Sequence, residues 1–452
     1  MARRIRDLSL SVVVAAFLAL PSATTIRAAQ PIFGTPTLTG SFDKDVVATQ
    51  PITLDGSPDR VEVLATIADA PGPLVDEIVP PAQSGQQTLH YTVTPDVGAF
   101  LPNTPIRVRW RVTTDGVASV GPETTLVVAD ERFDWQTVSG DLVRVHWYEG
   151  DRAFGERALR IGEQAIKDAS ELLGVHEERP IDFFIYADQD AFYDALGPGT
   201  RENVGGQANA EIRTLFAHIP PSSIDDPWVE NVVPHELVHL VFDTAVKNPY
   251  HFPPRWLNEG LAVYLSVGYD AGDRSTVEGA ARDGTLVPLS GLTGEFPTSA
   301  DGFSQAYAES VSAIDFLVRK HSQDALVSLV RSYADGKTDD EAFKGAIGMD
   351  TAAFGAAWLA DLGAKQPTTF GPKPAAPGPV PSGWDGTASV PPAVVGATPG
   401  SAVTPGPAAT PSVALDEPVR DTTTSPGLVA AAAAIAGGIG LLVWARSRRP
   451  AR

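Results

Sequence analysis

His235, Glu236 and His239 stand in the order His-Glu-Leu-Val-His, and Glu259 follows in Asn258-Glu259-Gly260-Leu261-Ala262. On a helix, positions four apart share a face, so the two imidazoles converge on one point, while Glu236, turned by about 100° from His235, reaches a water held beside them. Zinc that does chemistry takes three protein ligands and leaves its fourth position to water, and a carboxylate from a second helix, Glu259, completes a His2Glu set. The chemistry this spacing suits is hydrolysis. Zinc lowers the pKa of its water to about 7, Glu236 takes the proton as general base, and the oxyanion formed at a polarised carbonyl needs one further donor. In a chain with eight His among 452 residues, chance places a His-Glu-x-x-His pattern somewhere with odds of roughly one in a hundred.

Two helices must carry these groups. Leu237, Val238, Val241 and Phe242 give 226–243 an apolar helical surface, with Pro234 marking either the helix start or a bend. Pro249, Pro253 and Pro254 then break the chain, and Trp256, Leu257, Leu261, Val263, Tyr264 and Leu265 resume helical spacing over 255–266. A short connection lets the second helix fold back and bring Glu259 beside the histidines. A ligating His usually donates its other ring N–H to a carboxylate or carbonyl, and Asp243, one turn beyond His239, is the candidate acceptor.

His235-Glu236-Leu237-Val238-His239 together with Arg255-Trp256-Leu257-Asn258-Glu259-Gly260-Leu261-Ala262-Val263-Tyr264 resembles the gluzincin metallopeptidases, in particular the peptidase MA-like proteins related to the M1 aminopeptidases. The resemblance spans about residues 131–362. It implies zinc ligands at His235, His239 and Glu259, Glu236 as general base and later proton donor, and a peptide or protein substrate. Family members often take the oxyanion donor from a later helix, which makes Tyr307, in Phe303-Ser304-Gln305-Ala306-Tyr307, the candidate, with His251 as the alternative. M1 aminopeptidases carry an upstream Gly-x-Met-Glu-Asn segment whose Glu holds the substrate amine. The comparable stretch here is Gly205-Gly206-Gln207-Ala208-Asn209, without a carboxylate, so action at chain ends and at internal bonds both stay open. Thermolysin-like enzymes place an Asp four residues after the ligand Glu; here that position is Val263, which favours the M1-like branch. An edge strand just before the zinc helix binds substrate backbone in this family, and 211–219 is the expected strand, with a plain core strand as the alternative.

The ends of the chain address its location. Arg3, Arg4 and Arg6 precede the apolar run Leu8 to Leu20, which reads as a signal peptide over 1–28. Residues 427–445 are uncharged and mostly apolar, just long enough at about 28 Å to span a bilayer as one transmembrane helix, and the arginines of 446–452 belong in the cytoplasm. The catalytic region then faces outside the cell membrane; a processed sorting signal is the alternative for the tail. The absence of Cys excludes thiolate ligands and Cys nucleophiles and leaves an exported chain to rely on its core. Removing the +3 of residues 1–28 and the +4 of residues 446–452 from the formal −21 leaves −28, a charge that repels nucleic acid.

Between the ends three parts are expected. Short alternating runs at 61–67, 88–93, 106–112 and 124–128 make 29–130 an immunoglobulin-like β-sandwich, a spacer or packing partner. Residues 131–364 form an α+β gluzincin-type zinc metallopeptidase domain, with strands at 142–147 and 181–186, a helix at 153–173, and a mostly helical C-terminal half at 303–321, 324–333, 338–347 and 351–362. Residues 365–426, rich in Pro, Ala and Thr, form a disordered stalk. Two functions of different class fit this layout: a membrane-anchored extracytoplasmic zinc peptidase, or a cell-surface binding protein on the same scaffold with little or no turnover.

Overall fold

The computed structural model describes residues 30–365 apart from 96–99, 198–204 and 249–250. The expected leader, the membrane helix and, save Lys365, the stalk fall outside the described residues, among which no helix is long and apolar enough to cross a membrane. The chain divides into two compact units, 1–131 and 132–452.

The first unit is built from strands: β1 (Ile32–Phe33), β2 (Thr37–Thr39), β3 (Val46–Leu54), β4 (Arg60–Ile67), β5 (Leu74–Ile78), β6 (Gly85–Val93), β7 (Pro105–Thr114), β8 (Val117–Val120) and β9 (Thr124–Val127). One antiparallel sheet centres on β3, flanked by β1, β2 and β6; the other runs β5-β4-β7-β8, with β9 also paired to β7. Along β7, Ile106, Val108, Trp110 and Val112 are buried while Arg107, Arg109 and Arg111 between them are not. Successive side chains of a strand leave on opposite faces, so this alternation commits one face to a core. Ala48, Ile52 and Leu54 from the other sheet share that core, which makes the unit a β-sandwich. The four expected strands are present, whereas β3 is a strand that the sequence disguises with Pro51 at its middle. A proline cannot donate to a ladder. Here the loss falls in a gap: β2 pairs with Val47 to Thr49, β1 with Ile52 and Thr53, and Pro51 lies between.

The second unit opens with β10 (Gln136–Ser139) and β11 (Val143–Trp147), then α1 (Arg152–Leu173), β12 (Ile181–Tyr186), α2 (Gln189–Leu196), β13 (Gly206–Asn209) and β14 (Thr214–His218). Seven helices follow: α3 (Val229–Val246), α4 (Arg255–Ser266), α5 (Ala271–Asp283), α6 (Ala300–His321), α7 (Gln323–Ser332), α8 (Asp339–Ile347) and α9 (Thr351–Asp361). The sheet order is β10-β11-β12-β14-β13, parallel in the middle and antiparallel at both edges. Val143, Val145, Trp147, Ile181, Phe183, Ile185, Leu215 and Ala217 point to one face and share a core with α1 and α3. Helix α1 has the stripe Phe154, Ala158, Ile161, Ala165, Ala169 and Leu173 for that face, starts on the Asp151 side-chain cap and stops at Gly174 in the left-handed region.

Two expectations need correction. The strand expected as the edge, 211–219, is β14 and lies inside the sheet between β12 and β13; the edge strand beside α3 is β13, four small or polar residues with no strand-like pattern. The turn between them holds Arg213 at φ 51° and reverses the chain so that the less apolar strand takes the outside. Pro234 neither starts nor ends α3, which begins five residues earlier at Val229. The proline lies inside the helix and removes the bond to the Glu230 carbonyl, and burial of Val229, Val232, Val233, Leu237, Leu240 and Val241 offsets that loss, so of a start or a bend at Pro234 the start is excluded.

Candidate active site

Helix α3 is apolar on nearly every side because α1, the sheet and α4 all pack on it, so its polar residues are buried with it. His235 and Glu236 are 1 % exposed and Glu259, on α4, is fully buried. The two imidazole Nε2 atoms face each other at 3.1 Å, and Glu259 Oε2 lies 3.5 Å from each. This is the one group among the described residues whose His, Asp and Glu ligand atoms come together in a set fit for a metal ion. His239 Nδ1 donates to Asn258 Oδ1 at 2.9 Å, which leaves the Nε2 lone pair aimed at the centre. The acceptor is therefore Asn258 and not Asp243.

The centre needs positive charge. Two imidazole lone pairs at 3.1 Å repel unless a proton or a cation sits with them, and Glu259 Oε2 is buried without a hydrogen-bond partner. Burial pushes the His235 imidazolium down to about 4, with His239 adding to the fall and Glu259 opposing it, so the ring is neutral near pH 7, as a ligand must be. Burial would push the Glu259 carboxyl up, but His235, His239 and Arg255 together hold it below its ordinary value. Two imidazoles and a carboxylate are a donor set that fits zinc. Arg255 takes the other Glu259 oxygen, Oε1, at 3.2 Å.

Glu236 lies beside this set with a partner of its own. Its Oε2 accepts the Ala208 N–H of edge strand β13 at 3.0 Å, and Gly206 two residues before allows that approach: a Cβ there would sit 3.2 Å from Glu236 Cγ. Burial, then the charge of Glu259, push the Glu236 carboxyl well above its ordinary value, against the pull of the Ala208 N–H. A divalent ion at the centre adds charge of the opposite sign and draws the carboxyl back toward ionisation. Glu236 is thus a group that can hold or release a proton next to the open position.

Tyr307, on α6, completes the wall. Its ring centroid is 6.2 Å from that of His235 and it packs edge-on against Phe296 at 5.3 Å. The hydroxyl is buried beside Glu259 without closing a hydrogen bond of normal geometry, and burial, then Glu259, push the phenol well above its ordinary value. Helix α6 meets α4 at Gly260, where a Cβ would stand 2.5 Å from the Ser310 carbonyl oxygen. Only glycine lets the two backbones touch. His251 does not join the site: its Nε2 pairs with Asp339 at 2.9 Å and its ring stacks on Tyr333. A cleft of about 430 Å³ along α1, lined by Arg157, Arg160, Pro234 and Val238 among others, contains none of the site's side chains. Asn258, Arg255 and Ala208 carry interactions that the sequence pattern did not assign. Arg255 stands inside the motif at helical spacing from Glu259, so its signal was there, and Asn258 stands inside the motif without such spacing; the Ala208 contact is made by backbone and leaves none.

Residues 161–364 match the family model of the Peptidase MA superfamily. The resemblance to the peptidase MA-like proteins thus holds for the segment that carries the whole site. No curated protein matches the chain. Among solved structures, a two-domain M1 zinc metallopeptidase mutant bound to L-tryptophan aligns at 14% identity over 76% of this chain and 94% of its own, with a TM-score of 0.35. A mutant M1 zinc metallopeptidase from Deinococcus radiodurans bound to a Tyr-Ser-Ala substrate aligns at 14% identity over 75% and 94%, with a TM-score of 0.36. An aminopeptidase N family protein from Idiomarina loihiensis aligns at 11% identity over 68% and 72%, with a TM-score of 0.37. At these scores the likenesses carry no argument, and the family match stands on its own residues.

Proposed function

We propose that the chain is a zinc-dependent peptidase that hydrolyses peptide bonds, with His235, His239 and Glu259 as metal ligands. The observation that carries this reading is the convergence of two imidazoles, a buried carboxylate and a second carboxylate within a segment that matches the Peptidase MA superfamily. Zinc, when bound, supplies a Lewis acid that polarises a carbonyl and acidifies water. Glu236 accepts the proton of the attacking water and passes it to the leaving amine, held in place by the Ala208 N–H. Tyr307 offers its hydroxyl to the oxygen that gains charge. Strand β13 is the edge beside α3, and a substrate backbone can lie along it as an added strand. No carboxylate stands on β13 to hold a terminal amine, which keeps internal bonds within reach.

The same proposal places the catalytic unit outside the cell membrane behind a signal peptide, on a stalk and a single C-terminal helix, with the first unit as an immunoglobulin-like spacer. A cell-surface binding protein on this scaffold is the competing reading. Incubating the purified full-length protein, zinc added, with a diverse peptide pool and identifying products by mass spectrometry separates the two. Cuts made by the unmutated protein and absent with Glu236→Gln support the peptidase; no cuts from a folded, zinc-loaded protein support the binding role.

A further inference from the structure

The peptidase chemistry has no step for Arg255, although this charged side chain is only 6 % exposed and lies one helical turn before Glu259. An exposed ion pair at this spacing contributes about 0.3–0.5 kcal/mol and is commonly incidental. This one is not exposed. Arg255 Nε donates to Glu259 Oε1 at 3.2 Å, a second nitrogen of the same guanidinium donates to Glu295 Oε2 at 3.1 Å, and its carbon lies 4.7 Å from the centroid of the Phe296 ring. The segment that brings Glu295 and Phe296 is itself fastened to the start of α4, where the backbone N–H groups of Arg255 and Trp256 donate to Thr293 and Leu292 carbonyls at 3.0 Å. The fork is gripped from three directions.

The consequence is at the carboxylate. Glu259 has two oxygens, and only Oε2 faces His235 and His239. With Oε1 occupied by a planar cation, the carboxylate can neither turn both oxygens to the centre nor take up a proton there at low cost. Lys would supply charge without the fixed fork that reaches Glu259 and Glu295 together.

We infer that Arg255 is a positioning residue of the metal centre, which holds Glu259 so that it offers one oxygen, Oε2, to a zinc ion shared with His235 and His239. The inference rests on the reading of this site as a zinc centre, and it concerns metal binding apart from turnover. The probes are zinc alone and cobalt(II) alone, added to the purified full-length protein after the metal has been stripped. Zinc affinity is read by competition with a coloured chelator, ligand geometry by the visible absorption of the cobalt(II) form, and folding by the melting of the metal-free protein.

Arg255→Met is expected to weaken zinc binding about 10- to 100-fold and to alter the cobalt(II) spectrum. Arg255→Lys keeps the charge and loses the fork; it should also bind more weakly, by about 3-fold or more, with an altered spectrum. Glu295→Gln leaves the grip on Glu259 in place and should stay within about 2-fold of the unmutated protein. A folded Arg255→Met protein with unmutated zinc affinity and an unchanged spectrum overturns the inference, as does a Glu295→Gln protein weakened as much as Arg255→Met. If Arg255→Met does not fold, Arg255→Lys decides by the same two readings. An unmutated protein that binds no zinc overturns the inference together with the peptidase reading. Zinc bound without peptide cleavage removes only the latter.

Discussion

In the first unit a buried carboxylate, Glu62, meets the fork of Arg111 at 2.6 and 2.8 Å with both of its oxygens. In the second, Glu259 gives Arg255 one oxygen and holds the other, unbonded, toward two imidazoles. The residue types are the same and the outcome is opposite. Glu62, on the face of β4 opposite to the core residues Val61 and Val63, is satisfied, whereas Glu259 is fully buried with an unmet demand. Buried polar atoms without partners also occur singly in both units, at Gln50 Oε1 and Trp110 Nε1 in the sandwich and at Trp147 Nε1 and Ser170 Oγ in the second unit. In the second unit, Glu259 Oε2 and the Tyr307 hydroxyl are unmet at one point. A lone unmet group costs stability; unmet groups that converge describe the charge of what they bind.

The largest effect expected from this contrast is at Glu236. Glu236→Gln keeps the ligands and removes the proton acceptor, so turnover should fall about 10³-fold or more with zinc still bound, measured by kcat and metal content. Retained turnover would strip Glu236 of its role.

A second buried carboxylate tests whether unmet demand or burial alone matters. Glu309, on α6, is fully buried, accepts from the Val287 N–H and the Gln305 amide, and is pushed by burial up to about 7. A raised carboxyl favours its protonated form in the folded state, so the stabilising contribution is complete below pH 4.5 and is lost as pH rises through about 7. Glu309→Gln should therefore stabilise the protein at pH 8 by on the order of 3 kcal/mol, and the gain should vanish near pH 4.5. Thermal melts of both proteins across that range would show it, and a pH-independent difference would contradict the assignment.

Tyr307→Phe removes one donor and should lower kcat about 10²-fold with KM little changed. A change in KM alone would make Tyr307 a packing residue. The smallest effect belongs to the satisfied pair: Arg111→Met should lower the melting temperature of the first unit by no more than a few degrees and leave the zinc content of the second unchanged. Loss of zinc in that variant would break the comparison outright.

Much of the second unit was legible in the sequence because its periods are strong. Strand β12 and helix α4 fall on the expected residues, and α1 and α6 differ from them only at their starts. The three candidate residues on α3 came from spacing that helical geometry fixes, Glu259 from the need for a third donor on a helix that folds back, and Tyr307 through the family resemblance. What stayed hidden has a physical reason in each case. Strand β13 consists of Gly, Gln, Ala and Asn, which have no strand period to display, and its contribution to the site is a backbone N–H. Helix α5 is charged and short of apolar residues, with only Asp273, Val277 and Ala280 buried, so no stripe announces it. Arg255 could have been assigned from position alone, since it stands four residues before Glu259 on the same helix face, whereas Asn258, one residue before Glu259, leaves α4 in another direction and reaches His239 on α3.

Gly260 sets a mechanical tolerance. The Glu259 carboxylate rides on α4 and the Tyr307 phenol on α6, and at Gly260 the two helices meet with no room for a Cβ. The two groups are in effect mounted on one casting. No side chain at position 260 opens that contact by a small step, because even a methyl group would stand 2.5 Å from a carbonyl oxygen that belongs to a helix backbone. The spacing of the Glu259 carboxylate and the Tyr307 phenol therefore has no fine adjustment at this seam, where variation is all or nothing.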